Sequence, residues 1–258
     1  MLIDTVTAAV RQAGERLLSR YSTESRPTDL DTLLAAIRAN EHAVTDGLRP
    51  ALAAALPGAT WDDDEHGTGP LPAGERWLVD PVGGNVNAVH GMIDWNVGVT
   101  LVRDGRPVLT VVHAPLTDET FTATAGGGAF RNGIPLNVAP KTDLAAALVG
   151  TGQGKPGRDP EYARRMGESI AAMLRHALYV RVSVPVTHQL TQVAAGRMDA
   201  HWQFDNVRAH VGPLLLAREA GATVTDLDGK PWELTSDGYL AAAPGLHAAA
   251  LDVLRGEG

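Results

Sequence analysis

The stretch over residues 77–91 constrains the fold more than any other part of the chain. An apolar run ends in Asp80 and a proline, and the pair Gly83 and Gly84 follows at once. The pattern predicts a buried strand that stops at Asp80, followed by a sharp turn that glycine permits. A helix after the turn would supply free N–H groups, which bind anions. The segment therefore indicates a metal or phosphate site.

The composition excludes several classes of protein. A chain of 258 residues with 44% hydrophobic and 20% charged residues is typical of a soluble globular protein. The net charge of −8 argues against binding to nucleic acid or an anionic membrane, and the lack of cysteine excludes disulfides and thiolate metal sites. Because no signal peptide or membrane-spanning window is evident, we expect a cytoplasmic protein.

Hydrophobic periodicity and turn signals predict an α+β half over residues 1–145 and an α/β half over 146–258, packed as one globular unit. In the first half, two helices precede strands at 76–80, 95–103, 107–113 and 119–124. In the second half, strands are predicted at 147–151, 178–184, 199–204, 222–226 and 238–242, and helices at 160–176, 186–196, 210–220 and from 244.

Five segments resemble, in the right order, motifs of the inositol monophosphatase-like superfamily of magnesium-dependent, lithium-sensitive phosphatases. Residues 77–91 are similar to its W-[IV]-[IV]-D-P-[IL]-D-G-T-x-N-F-x-H-G motif. The other matching segments are 108–123, 126–133, 193–200 and 218–226. The resemblance implies a mixed α/β fold, a layered αβαβα sandwich with the site between the halves, and a homodimer.

The resemblance also implies a cluster of carboxylates that holds two or three Mg²⁺ ions, which bridge to phosphate and activate water. The family's first motif aspartate is kept as Asp80. The first glutamate of its Glu-Glu pair falls on Asp64, with Glu65 beside it. Its helical aspartate, which orients the attacking water, falls on Asn40.

Other family positions carry no carboxylate in this chain. The second motif aspartate falls on Gly83, and the threonine after it falls on Asn85. The last metal ligand falls on Ala209 or on His210, depending on the direction of counting, and Asp205 is the nearby acid.

These changes predict a weakened metal site. Removing one partner of a buried charged pair costs about 3–5 kcal/mol, so several losses together argue against a tight two-metal centre. We expect no cofactor, or at most a single Mg²⁺ held by Asp64, Glu65 and Asp80.

Histidines near the expected cleft suggest another chemistry, because imidazole titrates near neutral pH and acts as a general acid or base without metal. Either Asp205 or Asp94 would orient one of these rings. The predicted catalytic set is His210, His188, Asp80, Asp64 and Asp205. The predicted anion-binding set is Gly83, Gly84, Asn85, Asn40 and His66.

Three functions are compatible with these patterns. The favoured interpretation is a diverged enzyme that acts on a small polar or phosphorylated metabolite by metal-independent acid–base chemistry, such as elimination, cyclisation or isomerisation. A weakened Mg²⁺-dependent phosphomonoesterase on a sugar or inositol phosphate is the first alternative. The second is a catalytically silent binding or scaffold protein.

Overall fold

Two long helices open the chain in the computed structural model, which describes residues 1–24, 26–62, 64–152, 159–204 and 207–256. They are α1 (Leu2–Leu18) and α2 (Leu30–Ala55). Helix α2 begins where the Asp29 carboxylate accepts a hydrogen bond from the Thr32 backbone N–H at 2.8 Å, which caps the helix. Within the described ranges, no helix is both long and apolar enough to cross a membrane.

The first sheet is a meander in which neighbouring strands follow chain order. Strands β1 and β2 are parallel, and every later pair is antiparallel. A short helix, α3 (Asn85–Val89), separates the second strand from the third. The strands are β1 (Thr60–Asp62), β2 (Glu75–Gly83), β3 (Asn96–Arg103), β4 (Arg106–Ala114), β5 (Glu119–Thr124), β6 (Gly128–Arg131) and β7 (Ile134–Pro135).

The second sheet has mixed topology, with the order β11-β12-β10-β8-β9. Its strands are β8 (Leu148–Thr151), β9 (Tyr179–Val182), β10 (Ala200–Gln203), β11 (Thr223–Thr225) and β12 (Tyr239–Ala242). The helices that accompany it are α4 (Pro160–His176), α5 (Val186–Ala194), α6 (Arg208–Glu219) and α7 (His247–Arg255), and a 3₁₀ turn (Leu144–Ala146) precedes β8.

The elements stack in five layers. Helices α1 and α2 cover the outer face of the first sheet, and α5 and α6 lie between the two sheets. Helices α4 and α7 pack together on the far side, against β9 and β12 respectively. Each interface is an apolar core, for example Val6 and Leu48 against Trp77 in the outer layer. The structure confirms the predicted α/β layered sandwich.

The strands and helices that were predicted with bounds are all present, and their ends lie within three residues of the prediction. The helix over 160–176 has the predicted bounds. Strands β1, β6 and β7 and the helix α3 were not predicted, because each is too short to show periodicity. Helix α6 belongs to the second half of the chain but packs on β2 to β6 of the first sheet. The division into two halves stays a prediction.

Candidate active site

Asp80 lies near the end of β2, where the pairing with β3 shifts register between Asp80 and Gly83. Part of the residue touches solvent, but the carboxylate is densely surrounded by protein. The pKa of Asp80 is raised to about 7, mainly by burial; the Thr187 hydroxyl lowers it, and the charge of Glu41 raises it. The hydroxyl donates to Asp80 Oδ2 at 3.4 Å. The described residues contribute no ion pair to this carboxylate.

A cavity of about 10 Å³, enough for roughly one water, adjoins Asp80 where the first sheet meets the middle helical layer. Ala209, at the start of α6, is part of its wall, whereas His210 is not among the described residues that line it. The lining residues are Leu78, Asp80, Gly98, Thr100, Val112, Thr187, Arg208, Ala209 and Pro213.

A chain of side-chain hydrogen bonds leads from Arg20, two residues after α1, to Glu41 on α2. Arg20 Nε donates to Asn40 Oδ1 at 3.0 Å, and Asn40 Nδ2 donates to Asn85 Oδ1 at 3.0 Å. Asn85 Nδ2 donates to the Ile37 carbonyl at 3.0 Å and to Glu41 Oε1 at 3.5 Å. The predicted residues Asn40 and Asn85 are thus brought together, and they hold a carboxylate that the sequence analysis did not select.

The turn after β2 depends on its two glycines. Gly84 has φ = 82°, in the left-handed region that glycine adopts most readily. A Cβ on Gly83 would lie 2.7 Å from both Asp80 Oδ2 and Asn96 Oδ1, so only glycine fits beside Asp80 without a shift. Helix α3 then begins at Asn85 but has only five residues.

The acidic loop after β1 is held against the start of α6. Asp62 Oδ2 pairs with Arg208 Nε at 3.1 Å. The Asp64 carboxylate accepts the His66 backbone N–H at 3.2 Å, and Glu65 Oε1 lies 3.1 Å from His66 Nε2. The described residues include no group of three or more His, Asp or Glu side chains that could hold a metal ion.

His188 on α5 faces Asp94, whose carboxylate is 3.5 Å from its Nε2 and 3.4 Å from Arg181 Nη2. Burial lowers the pKa of His188, and the Asp94 charge opposes this. The preceding residue, Thr187, is the one that reaches Asp80. His188 therefore belongs to a separate polar cluster at the edge of the cleft.

His210 packs against the second sheet. Its ring meets Tyr239 edge-on at 5.7 Å, and Tyr239 stacks on His201 at 5.8 Å. Burial lowers the pKa of His201 to about 3, so this ring is neutral. Asp205, the remaining member of the predicted catalytic set, lies outside the described residues.

Three residues of the site were not predicted from the sequence: Glu41, Thr187 and Arg208. Glu41 carried a signal, since it is a carboxylate one position after Asn40 on the predicted helix. Thr187 and Arg208 carried none, because each meets its partner across more than 100 positions of sequence.

The chain is thus a layered α/β sandwich with the Asp80 carboxylate in a small cavity where the first sheet meets the middle helices. The model of the inositol monophosphatase family matches residues 2–256. Crystal structures with the same fold include the suppressor protein suhB of Bartonella henselae, with TM-score 0.82, 23% identity and coverage of 98% of both chains. SuhB of Mycobacterium tuberculosis gives TM-score 0.78 and 24% identity, covering 100% of this chain and 98% of that one.

Several relatives whose names state an activity have a higher sequence identity to this chain than these solved structures have. An inositol-1-monophosphatase of Rhizobium meliloti is 39% identical over 62% of this chain and 61% of its own length. The inositol-1-monophosphatase ImpA of Mycolicibacterium smegmatis is 31% identical over 76% of this chain and 71% of its own. The chain belongs to the inositol monophosphatase family.

These relatives overturn the function that the sequence analysis favoured. Proteins 30–39% identical to this chain are named as phosphatases, which are hydrolases. The interpretation as a metal-independent elimination, cyclisation or isomerisation enzyme is therefore wrong. It gave too much weight to histidines such as His210, whose ring faces Tyr239.

Proposed function

We propose that the protein is a slow Mg²⁺-dependent phosphomonoesterase acting on an inositol phosphate or a similar sugar phosphate. Family membership and the names of the relatives support the reaction class. The observation that carries the proposal is the buried Asp80 carboxylate, whose pKa is also raised by the charge of Glu41 and to which the described residues contribute no ion pair, although Arg208 lines the same cavity. A protein that keeps such a charge near neutral pH requires a positive partner.

The described residues fit one Mg²⁺ ion but not a multi-ion cage. Mg²⁺ in proteins keeps several waters and uses one or two carboxylates together with substrate phosphate oxygens. Asp80 supplies one such oxygen donor, and Glu41 is the nearby carboxylate that acts on its charge. Asp64 and Glu65 remain predicted ligands from the loop after β1. Bound there, Mg²⁺ would neutralise phosphate charge and activate water.

Side chains of the protein itself carry out the proton transfer and orient Asp80. Glu41 accepts a proton from the attacking water. Its carboxylate accepts a hydrogen bond from Asn85, which in turn is held by Asn40 and, through Asn40, by Arg20. As the water oxygen bonds to phosphorus, the bond from phosphorus to the ester oxygen breaks, and the leaving oxygen takes up, directly or through solvent, the proton that Glu41 accepted from the water. Thr187 orients Asp80 through its hydroxyl.

Other predicted residues would bind or steer the substrate. The turn at Gly83, Gly84 and Asn85 lies beside Asp80 and would receive the phosphate. His188 and His66 would contact the alcohol part from the rim, where both remain partly accessible. The homodimer and the cytoplasmic location stay predictions.

The proposed reaction is tested with a substrate panel. Purified protein is expected to release phosphate from inositol 1-phosphate and sugar phosphates with Mg²⁺, and the rate is expected to rise from pH 6 to pH 8. The reason is that Asp80, whose pKa is about 7, must ionise before it can bind the cation. Phosphate is measured by a colorimetric assay, with protein in EDTA as the control. No release from any member of the panel at any Mg²⁺ concentration would contradict the proposal.

The substitution Glu41→Gln tests, independently of phosphate release, whether the Glu41 and Asp80 carboxylates interact. Removing this charge is expected to lower the pKa of Asp80, since Glu41 raises it. Unfolding free energy measured without metal from pH 5 to pH 8 should then fall less than in the unchanged protein. Asp46→Asn, an exposed substitution on the same helix, is the matched control and should leave the pH profile unchanged. An unaltered profile in Glu41→Gln would show that the two carboxylates do not interact.

A further inference from the structure

Arg208, the first residue of α6, is joined to the loop after β1 by its backbone and its side chain. Its backbone N–H donates to the Gly67 carbonyl at 3.0 Å, and Nη1 donates to the Thr68 carbonyl at 3.4 Å. Nε lies 3.1 Å from Asp62 Oδ2, and only 15% and 13% of the two side chains are exposed. The guanidinium is therefore held by one hydrogen bond and one ion pair and is largely shielded from water.

The same guanidinium lies close to a second carboxylate of the loop. A Cβ on Gly67 would overlap Arg208 Nη1 and would lie 2.9 Å from Asp64 Oδ2. Glycine at this position leaves the room in which the arginine approaches Asp64. A permanent positive charge thus lies beside both Asp62 and Asp64, because arginine does not lose its proton in proteins.

Arg208 also lines the small cavity beside Asp80, together with Thr187 and Ala209. The guanidinium of Arg208 therefore lies between the acidic loop and the buried Asp80 carboxylate. A metal ion that approached the loop would meet repulsion from the guanidinium and would compete with it for the same oxygens.

We propose that Arg208 is a built-in cation that withdraws Asp62 and Asp64 from Mg²⁺ and so lowers the affinity of the cleft for divalent ions. The proposal deepens the proposed function, since it explains why the site holds one ion weakly. It concerns cation binding and does not require phosphate release, so the two ideas fail separately.

The test is Mg²⁺ binding measured by isothermal titration calorimetry on metal-free protein. Arg208→Gln is expected to bind Mg²⁺ at least tenfold more tightly than the unchanged protein, because the loop carboxylates become available. Arg208→Lys keeps the charge and should show no such gain. Adding Asp62→Asn to Arg208→Gln should remove most of the gain. Arg103→Gln is the matched control: Arg103 pairs with Glu75 at the other end of β2, roughly 16 Å from Asp80.

Two outcomes would overturn the proposal. One is a folded Arg208→Gln protein that binds Mg²⁺ no more tightly than the unchanged protein. The other is an equal gain in Arg103→Gln, which would reduce the effect to net charge. If Arg208→Gln does not fold, Mg²⁺ binding to the single variant Asp62→Asn tests the proposal instead. The proposal expects this variant to keep the affinity for Mg²⁺, whereas a tenfold loss would show that Asp62 already binds the ion.

Discussion

Asp80→Asn is expected to lower the rate of Mg²⁺-dependent phosphate release at least 100-fold. The amide keeps the shape of the side chain and can still accept from Thr187, but it carries no charge to hold the cation. Circular dichroism would verify the fold. Asp252→Asn, on the exposed face of α7, is the control and should retain full activity. Activity of Asp80→Asn within a few fold of the unchanged protein would remove Asp80 from the mechanism.

The same substitution is expected to stabilise the metal-free protein at high pH. The pKa of Asp80 is raised from 3.8 to about 7 on folding, so the native state keeps a proton that the unfolded chain loses. The contribution of Asp80 is complete below pH 4 and is lost as the pH rises to 7. Asparagine does not titrate, so its contribution to the free energy of unfolding does not fall as the pH rises. At pH 8 the variant should exceed the unchanged protein by on the order of 2 kcal/mol in unfolding free energy, and at pH 4 the two should agree.

Gly212→Ala is expected to destabilise the protein by about 2 kcal/mol or more, because it pushes α6 away from the first sheet. A Cβ at this position would overlap the hydroxyls of Thr100 and Thr110. Both are buried and hydrogen-bonded to each other at 3.2 Å, and β-branched side chains have few rotamers with which to move aside. The displacement would also move Arg208 and Ala209 relative to Asp80, so activity should fall with stability.

A matched glycine provides the control. Gly167 lies in α4, and a Cβ there would meet nothing within 4 Å. Gly167→Ala should therefore stabilise the protein by about 0.5–1 kcal/mol, the usual gain from replacing an interior helical glycine. Chemical denaturation of the two variants measures both effects. Equal effects of the same sign would show that α6 does not pack against the threonines as closely as described.

The position of Asp80 and most of the strands and helices are predicted by local patterns, whereas the layers are predicted by the resemblance to the family. The apolar run before Asp80 indicates the strand, and the glycines after it indicate the turn. Helix α4 begins at a proline after an aspartate cap, which is a local signal, and its bounds were predicted correctly. Such features need no knowledge of distant partners.

The other members of the site could not be predicted, since they depend on which of two neighbouring residues faces the site and on contacts across the fold. Asn40 and Glu41 are neighbours on α2, and a step of one residue turns a helical side chain by roughly 100°. Only packing against α3 shows that Glu41 reaches Asn85. The ion pair of Asp62 with Arg208 likewise depends on α6 meeting the loop after β1. Counting along the chain left Ala209 and His210 equivalent, whereas the cavity lining includes Ala209.

The central claim is that Asp80 and one Mg²⁺ ion carry phosphate release in this chain. It is tested most directly by titrating Mg²⁺ into metal-free protein with inositol 1-phosphate at pH 8, beside Asp80→Asn under the same conditions. We expect no release in EDTA, a single-site rise in rate that saturates only at high Mg²⁺, and no response in the variant. Equal phosphate release with and without Mg²⁺, or the same response in Asp80→Asn, would contradict it.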